Sequence, residues 1–481
     1  MTRLSLASHH GPDPRGLSTG IVHLGLGAFH RAHQAVFTED ATRATGDTGW
    51  GIAGVSQRSG RVIGQLAPQD GLYTVVERGV DVAPPRVVTA LRATHDGAAD
   101  PEGTTRWIAD PDVHVVTLTV TEKGYRHDPT TRRLRLDDPE IRADLGGRAP
   151  RTVVGQLVRG LQRRLAAGAG PLTVISCDNL PSNGALLRGL VREFAAAANL
   201  PEAIAWADER VRFPSSMVDR IVPAATETDI AEAERLLGYR DEGLVVCEPF
   251  RQWVIEDSFA GPRPAWEHAG AQLVADVEPW EELKLRILNA AHSLLAYLGL
   301  RAGHRSIADA VRDRALASAC RRLFAEDVLP SLDPPDGIDA AAYGEQVLAR
   351  FANRALPHTT RQVAADGTQK LGPRLLATIR ARSAQGKQAS WAALAVAAWA
   401  LHVLDPRDAS GATIDLDDPL AAELAALIDG RTGLEAVRRL VSAENIVGPD
   451  LAADRDFHDL VLGWARDLLR TTPDAVLTPT R

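Results

Sequence analysis

The chain has 481 residues, of which 45% are hydrophobic, and its 54 Lys and Arg against 62 Asp and Glu give a formal net charge of −8. This composition excludes a disordered chain and predicts two or three domains with full cores, and the negative charge gives no general attraction to nucleic acid or anionic lipid. The 3 cysteines show no Cys-x-x-Cys spacing, so neither a disulfide framework nor a structural zinc site is expected. We expect a cytoplasmic protein with no signal peptide and no transmembrane helix.

Residues 1–279 predict an α/β domain of the Rossmann type, built around a mostly parallel sheet. Short β-rich runs alternate here with helical stretches, which is the pattern of strands joined by crossover helices. The expected strands are Ile21–Leu24, Gly51–Val55, Tyr73–Val76, Val113–Val120 and Leu172–Ser176. The expected helices include Thr152–Ala166 and Ala185–Ala198.

Residues 280–481 predict an all-helical domain. Strand-like runs nearly vanish beyond Pro279, and segments rich in Ala, Leu and Arg follow with helical spacing of their apolar residues. The expected helices are Glu281–Leu298, Arg312–Asp327, Ala341–Arg354, Leu375–Gln385, Ser390–Leu404 and Leu420–Ile428. The most apolar of them, from Trp391 to Leu404, is too short to span a bilayer, so we expect it to be buried in the core.

The first predicted strand leads directly into Gly25-x-Gly27 and a helix, the context in which a glycine-rich turn indicates a dinucleotide site. Gly25 would permit the tight turn, and Gly27 would let backbone N–H groups approach a pyrophosphate. His30 stands where a third glycine is usual, so the fingerprint is incomplete. The motif alone is equally compatible with an ordinary tight turn.

The second predicted strand should end near the adenosine ribose, where an Asp or Glu normally binds the hydroxyls of NAD. No acidic residue follows this strand, and Arg58 or Arg61 could instead meet the 2′-phosphate of NADP. The alternative is a solvated basic turn. The residues therefore leave NAD and NADP both open.

Three further segments place polar residues at or near predicted strand ends, where ligands bind in open α/β sheets. They are Glu122 with Lys123, Asp178 with Asn179, and Asp219 with Arg220. Each also has a structural interpretation, because such residues often cap turns and helices or form ion pairs.

Lys284, Asn289 and His292 form a Lys-x4-Asn-x2-His array on one predicted helix. At about 100° per residue the three side chains fall within an arc of roughly 140° and could converge on one small molecule. A lysine among apolar residues loses part of its preference for the charged form and can serve as a general base. Asn289 could polarise a carbonyl oxygen, and His292 could bind a hydroxyl. An exposed lysine, a helix-interior asparagine and a core histidine are the alternative.

Six segments together, in this order and spacing, resemble the polyol-specific long-chain dehydrogenases, which include mannitol 2-dehydrogenase and fructuronate reductase. They are Gly25-Leu-Gly-Ala-Phe-His-Arg-Ala-His-Gln, Thr121-Glu-Lys-Gly-Tyr, Ser176-Cys-Asp-Asn, Met217-Val-Asp-Arg-Ile, Cys247-Glu-Pro-Phe-Arg-Gln-Trp-Val-Ile-Glu-Asp and the Lys284 array. The resemblance implies a hydride transfer between a nicotinamide cofactor and a sugar alcohol or keto sugar, without a metal. It gives a mild preference for NAD, with NADP possible.

The resemblance also implies roles for individual residues. Lys284 would be the general acid/base, and Asn289 and Asn179 would stabilise the developing alkoxide. His292, Asp219 and Lys370 would bind the substrate or hold the active-site groups, and Glu122 would belong to a proton path from Lys284 to solvent. The implied cofactor-binding residues are Gly25, Gly27, Phe29, Arg58 and Asn179.

Two other dehydrogenase chemistries have no matching pattern in the chain. No cluster of ligand cysteines suits a zinc-dependent dehydrogenase, and none of the 5 tyrosines begins the Tyr-x3-Lys pair of short-chain reductases. Lys284 is the remaining candidate for the acid/base.

Within the family, the segments around Lys123, Arg251, Lys284 and Lys370 look more like fructuronate reductases than mannitol dehydrogenases. Lys123, Arg251, Arg286 and Arg361 could supply the cationic partner that a substrate carboxylate needs. They could equally pair with neighbouring acids or lie on a solvated face.

Three functions are therefore in play. The first is interconversion of D-fructuronate and D-mannonate, and the second is a polyol dehydrogenase acting on D-mannitol and D-fructose. The third is a nicotinamide-sensing protein without turnover, because a fold alone does not establish activity. We expect a monomer or a small homo-oligomer.

Overall fold

The computed structural model describes residues 2–80, 82–129, 131–356 and 358–477. The chain divides into two compact units, Met1–Glu278 and Pro279–Arg481. Each unit has its own buried core, and the two are described separately below.

The first unit is organised around a six-stranded parallel sheet. Its strands are β1 (Thr19–Leu24), β2 (Gly51–Ser56), β3 (Leu91–Asp96), β4 (Val115–Leu118), β5 (Leu172–Ser176) and β6 (Val211–Arg212). They lie in the order β3-β2-β1-β4-β5-β6, and every neighbouring pair is parallel. This is the order of the dinucleotide-binding Rossmann fold. The central strands are continuous apolar runs because both faces of the sheet are covered.

Three small sheets complete the strands of the first unit. One holds Ser216–Asp219, Gln252–Glu256 and Gln272–Val274, a second holds Val245–Cys247, Tyr73–Glu77 and Arg86–Val88, and the third pairs Thr2–Arg3 with Tyr239–Arg240. The predicted strand at Tyr73 thus exists but belongs to a small sheet outside the Rossmann order.

The helices of the first unit connect and cover the parallel strands. The α-helices are Ala28–Ala32, Gln34–Thr45, Arg61–Leu66, Pro101–Ala109, Pro139–Leu145, Val153–Ala166, Asn183–Ala197, Pro201–Arg210 and Glu227–Leu237. Short 3-10 turns occur at Pro14–Gly16, Ala67–Gln69, Glu122–Tyr125 and Trp266–Ala269. Local sequence sets several of their ends: the Thr152 side chain caps the N-terminus of one helix by accepting a hydrogen bond from the Gly155 N–H.

The second unit is helical, and its described residues contain only isolated β-bridges. Its α-helices are Glu278–Leu283, which begins at the unit boundary, Ala290–Ala302, Ile307–Arg312, Arg314–Arg322, Ala340–Phe351, Thr360–Ala364, Gly367–Leu371, Ala377–Ala384, Ser390–Leu404, Ala421–Ile428, Gly433–Val441, Glu444–Val447, Pro449–Ala452, Arg455–Arg470 and Pro473–Leu477. Three π-helical segments, Lys284–Asn289, Leu323–Val328 and Gly372–Leu376, and a 3-10 turn, Leu329–Ser331, continue or join them.

Helix Ser390–Leu404 lies at the centre of the second unit. Every residue from Trp391 to Val403 is buried, as its apolar composition on all sides predicts. In the part of the chain that the structure describes, no helix is long and apolar enough to cross a membrane. The predicted fold class, a Rossmann-like N-terminal domain followed by a helical C-terminal domain, is confirmed.

Candidate active site

The turn after β1 requires glycine at its first position. Gly25 adopts φ +106°, and a Cβ added there would lie 2.1 Å from the carbonyl oxygen of Thr119. The Gly25 N–H donates to the Val55 carbonyl of β2 at 2.9 Å, which fixes the turn against the sheet. At Gly27, the N-cap of helix Ala28–Ala32, an added Cβ would meet only the Gly25 oxygen, at 3.7 Å. The space over the turn is therefore open, as the approach of a phosphate requires.

A cavity of about 520 Å³ lies beyond the carboxyl ends of β1, β2 and β4. Its lining includes Gly25, Gly27 and Arg58, and the Arg58 guanidinium donates to the Thr121 hydroxyl at 3.2 Å. This is the place where a Rossmann fold binds its dinucleotide, and the glycine turn, the volume and the basic lining fit such a ligand.

His30 lies at the place of the missing third glycine and is completely buried. Its ring stacks on that of His23 in β1, with centroids 3.4 Å apart and an interplanar angle of 11°. His23 in turn contacts the hydroxyls of Thr117 and Thr119, each at 2.8 Å. Burial lowers the pKa of His23 to about 3 and holds the pKa of His30 well below its usual value. Two neutral stacked rings therefore join the helix to the strand where glycine would normally permit close packing.

Two of the residues expected to bind the cofactor lie outside the lining of this cavity. The Phe29 ring is partly buried and stacks on His33, with centroids 5.0 Å apart. Asn179 follows β5 and is exposed. The cofactor roles of Phe29 and Asn179 thus stay predictions, whereas Gly25, Gly27 and Arg58 border one cavity.

The turn after β4 is strained and is bound to Asp178. Thr121 adopts φ +66°, which is rare for a β-branched residue. The Asp178 carboxylate accepts the N–H groups of Val120 at 3.0 Å and Thr121 at 2.8 Å, together with the Tyr125 hydroxyl at 2.7 Å. Burial raises the pKa of Asp178 to about 6. This carboxylate holds the turn from which the 3-10 helix with Glu122 begins.

Asp219 and Arg220 are both buried at the end of strand Ser216–Asp219. The Arg220 guanidinium donates to the backbone oxygens of Ala32 and Glu248, at 2.6 and 2.9 Å, and pairs with Glu77 at 2.8 Å. Arg220 therefore joins separate segments of the first unit, which is a structural role.

The Lys284 array lies on one continuous helical run, but its first half is π-helical. The segment Lys284–Asn289 spans the first two members of the array, and His292 follows in helix Ala290–Ala302. A π-helical turn holds more residues than an α-turn, so the arc expected for a regular helix does not apply there; such turns are frequent at functional sites. Lys284 is 7% exposed and His292 is 8% exposed, whereas Asn289 is half-buried.

His292 is packed between two other rings. It stacks on Phe351 with centroids 4.5 Å apart, and it meets the edge of His358 at 4.7 Å. Burial, together with nearby positive charge, holds the pKa of His292 well below its usual value, so the imidazole is neutral. Its Nε2 is buried and has no hydrogen-bond partner among the residues that the structure describes. A bound ligand or a water molecule would satisfy this buried ring nitrogen.

Three cationic side chains of the second unit contribute to the lowered pKa of His292. Arg350, Lys370 and Arg374 are the residues whose charges act on its imidazole, and together they are called the basic cluster below. The Arg374 guanidinium lies 3.4 Å from the Asn289 carbonyl and 3.2 Å from the Ser293 hydroxyl, so it contacts the Lys284 helix directly. Positive charge therefore accumulates beside the predicted substrate-binding residues.

Sequence reasoning identified Lys370 of this cluster and missed Arg350 and Arg374. Arg374 follows Lys370 at i+4, a helical spacing that could have indicated one shared face. Arg350 belongs to a different helix, Ala340–Phe351, and no local pattern connects it to the Lys284 array.

Arg286 is engaged by the second unit itself. Its side chain is 4% exposed, and it donates to the Thr378 hydroxyl at 3.0 Å, to the Ser331 carbonyl at 2.8 Å and to the Ser331 hydroxyl. These bonds occupy the donors that a substrate carboxylate would need, so they disfavour the role expected for Arg286.

Of the other basic residues expected to bind a carboxylate, Lys123 lines the cavity beyond the parallel sheet, and Arg251 and Arg361 have ordinary surroundings. Arg251 pairs with Asp40 at 2.7 Å and lies over the Phe37 ring, 4.5 Å from its centroid. Arg361 is exposed on helix Thr360–Ala364. Their substrate roles stay predictions, as does that of Lys370, whose ammonium donates to the backbone carbonyls of Val363, at 3.2 Å, and Ala365. Among the described residues, no group of three or more His, Cys, Asp and Glu side chains is arranged to bind a metal ion.

The family models match both halves of the chain. The mannitol dehydrogenase Rossmann domain matches residues 19–268, and the mannitol dehydrogenase C-terminal domain matches residues 276–462. The D-mannonate oxidoreductase of Escherichia coli (strain K12) is 41% identical over 450 residues, which cover 92% of this chain and 92% of that protein. The polyol:NADP oxidoreductase of Gluconobacter oxydans (strain 621H) is 36% identical over 417 residues, with 85% of each chain covered.

A solved structure is similar to the chain over its whole length. The ternary complex of Pseudomonas fluorescens mannitol 2-dehydrogenase with NAD and D-mannitol is 34% identical, with a TM-score of 0.87 over 100% of this chain and 98% of that chain. The predicted family, the enzymatic activity and the nicotinamide cofactor are thereby confirmed. The chain belongs to the mannitol dehydrogenase family of nicotinamide-dependent oxidoreductases.

Proposed function

We propose that the protein interconverts D-fructuronate and D-mannonate, a keto sugar acid and the corresponding hydroxy acid, with NAD as cofactor. The observations that support this substrate class are the Arg374 guanidinium, which contacts Asn289 and Ser293 of the Lys284 helix, and the positive charge of the basic cluster that acts on His292. A substrate carboxylate requires a cationic partner when it leaves water, whereas a neutral polyol does not. Arginine is suited to this task because its planar fork binds both carboxylate oxygens.

The neutral His292 supports a direct contact with the sugar. Its buried Nε2 has no partner within the described part of the chain, and an unsatisfied buried polar atom costs about 1–3 kcal/mol. A hydroxyl of the substrate would satisfy this nitrogen as either donor or acceptor. Binding of the sugar would thus remove a destabilising feature of the free enzyme.

The proposed chemistry follows from the Lys284 array. In the direction of reduction, Lys284 donates a proton to the carbonyl oxygen as the carbonyl becomes a secondary alcohol, and Asn289 donates a hydrogen bond to that oxygen while it carries negative charge. The nicotinamide, when bound, supplies the hydride for this reduction and takes it back in the reverse direction. Lys284 regains its proton from solvent, and Glu122 is the proposed intermediate on that path.

Oxidation of a polyol such as D-mannitol to D-fructose is the second candidate. A protein that shares the fold over the whole chain was solved with NAD and D-mannitol, so a neutral substrate fits this architecture. The two candidates differ in one chemical group, the carboxylate, and the basic cluster is where that difference should be detected.

The variant Arg374→Met tests the assignment. One charge-assisted hydrogen bond contributes about 1.5–3 kcal/mol, so its loss should lower kcat/KM for D-fructuronate by about 10- to 150-fold more than kcat/KM for D-fructose. The ratio of the two values is the informative quantity, because any displacement of Asn289 by the substitution would affect both substrates alike.

Arg380→Met is the matched control. Arg380 lies on helix Ala377–Ala384 of the same unit and pairs with Asp450 at 2.6 Å. This substitution should leave the ratio of the two kcat/KM values unchanged. An unchanged ratio in Arg374→Met as well would contradict the carboxylate role of the basic cluster.

A further inference from the structure

The end of β2 lacks the acidic residue that usually binds the adenosine ribose. In a sheet with this strand order, a carboxylate just past β2 accepts hydrogen bonds from the ribose hydroxyls of NAD. Here β2 ends at Ser56, and Gln57, Arg58 and Ser59 follow. All four residues line the cavity described above. The ribose position therefore presents amide, guanidinium and hydroxyl groups.

One carboxylate lies close to this position, but it is engaged by its own turn. Asp96, at the end of β3, accepts from the Ser56 hydroxyl at 3.4 Å and from the N–H groups of Ala98 and Ala99 at 3.1 and 3.2 Å. Asp96 is not among the residues that line the cavity. It therefore does not replace the missing ribose-binding acid.

The cavity is also positively charged. Arg58, Lys123, Arg126 and Arg151 line it, and its described lining contains no Asp or Glu. Arg126 is paired with Asp138 at 3.2 Å, whereas Arg58, Lys123 and Arg151 have exposed side chains. Cations in a concave site attract anionic ligands strongly. The glycine turn after β1 would hold the pyrophosphate, so a cation at the end of β2 is placed for a second anionic group.

We propose that Arg58, with the adjacent Ser59, forms a subsite for the 2′-phosphate of NADP, so that the enzyme takes NADP as well as NAD. The guanidinium fork matches a phosphate group, and the hydroxyl adds one more donor. This inference rests on the nicotinamide cofactor of the family and does not depend on the sugar-acid substrate. Arg58, just past the end of β2, would thus determine cofactor selectivity independently of Lys284.

Calorimetric titration of the full-length protein with adenosine bisphosphates tests the subsite without any turnover. The probes are 2′,5′-ADP, 3′,5′-ADP with the same charge, and 5′-AMP. The wild type should bind 2′,5′-ADP about tenfold or more tightly than 3′,5′-ADP, the range of one charge-assisted hydrogen bond. Arg58→Ala should abolish this preference and leave the affinity for 5′-AMP unchanged.

Arg151→Ala is the matched control, because Arg151 is an exposed cation of the same cavity that does not follow β2. It should weaken all three probes to a similar degree and keep the preference for 2′,5′-ADP. Arg58→Lys should bind 2′,5′-ADP with intermediate affinity, since it keeps the charge and loses the fork. Equal binding of the two bisphosphates by the wild type, or a preference retained in Arg58→Ala, would overturn the proposal. Neither result would bear on the sugar-acid assignment.

Discussion

Replacing the Asp178 carboxylate by an amide should lower activity with little change in stability. The carboxylate accepts two backbone N–H groups and the Tyr125 hydroxyl, and it holds Thr121 at φ +66°. In Asp178→Asn one carboxylate oxygen becomes an NH₂ group, so either Val120 or Thr121 loses its acceptor, at about 1–3 kcal/mol. Burial raises the pKa of Asp178 from 3.8 to about 6, so removing the charge recovers about 3 kcal/mol at neutral pH. The two effects nearly cancel.

We therefore expect Asp178→Asn to unfold in urea within about 1 kcal/mol of the wild type, yet to lose activity. Without one of its two acceptors the strained turn relaxes, since its positive φ costs about 1–3 kcal/mol. Thr121 and Lys123 of this turn line the cofactor cavity, so the KM for NADH should rise and kcat should fall, together about tenfold in kcat/KM. Asp178→Ala removes every acceptor and should lose about 2–4 kcal/mol of stability in addition.

Asp327 provides a matched control in the second unit. It accepts the N–H groups of Trp391 and Ala392 at 2.7 and 2.8 Å, and burial likewise raises its pKa to about 6. Both N–H groups bind the same Asp327 oxygen, so Asp327→Asn can keep both bonds and should be at least as stable as the wild type, with wild-type activity. Full activity in Asp178→Asn, or an equal loss of activity in Asp327→Asn, would refute the role given to the turn.

Three other outcomes follow from single features of the structure. Between about pH 4 and about pH 6 the folded protein binds more protons at Asp178 than the unfolded chain does. The unfolding free energy of the wild type relative to Asp178→Asn should therefore fall by about 3 kcal/mol as pH rises through this range. A constant difference between the two proteins in urea titrations would disprove the pKa shift. Gly25→Ala places a Cβ 2.1 Å from the Thr119 oxygen, so the variant should no longer bind NADH in a fluorescence titration. Near-normal binding would argue against the turn geometry. Lys284→Met should lower kcat by about 10²- to 10⁴-fold and leave NADH affinity unchanged, and a modest loss would remove Lys284 as the acid/base.

The sequence predicted four of the six Rossmann strands, β1, β2, β4 and β5, because their apolar runs are buried on both faces of the sheet. It missed β3, most of which is only half-buried or exposed, and β6, which has two residues. Strand Leu172–Ser176 was predicted with its observed bounds. The strand predicted as Val113–Val120 is shorter, Val115–Leu118, because the chain leaves the sheet at Thr119 to form the strained turn. A positive φ at a threonine has no sequence signature, so that end could not be predicted.

In the helical unit, one helix was predicted with its observed bounds and another was missed. Helix Ser390–Leu404 was predicted with its observed bounds because it is apolar on every side. Helix Arg455–Arg470 was missed, although Val461, Leu462, Ala465 and Leu468 recur at helical spacing and are buried. Here the signal was present in the sequence.

The site itself could be predicted only in part. The Lys-x4-Asn-x2-His array indicated the helix proposed to carry the catalytic lysine, but the π-helical segment between Lys284 and Asn289 could not be inferred from a 3.6-residue period. Arg350 belongs to a separate helix, so its place in the basic cluster could not be predicted from a local pattern, whereas the i+4 spacing of Lys370 and Arg374 was overlooked. Arg286 lies within the array in sequence, but its guanidinium already donates hydrogen bonds to Thr378 and Ser331.

The most direct test of the proposed function is a steady-state comparison of NADH oxidation by the wild-type enzyme with D-fructuronate and with D-fructose. If the basic cluster binds a substrate carboxylate, kcat/KM for D-fructuronate should exceed that for D-fructose by at least about 30-fold, the effect of roughly 2 kcal/mol. Equal values, or a preference for D-fructose, would contradict the sugar-acid assignment and place the enzyme among the polyol dehydrogenases of its family.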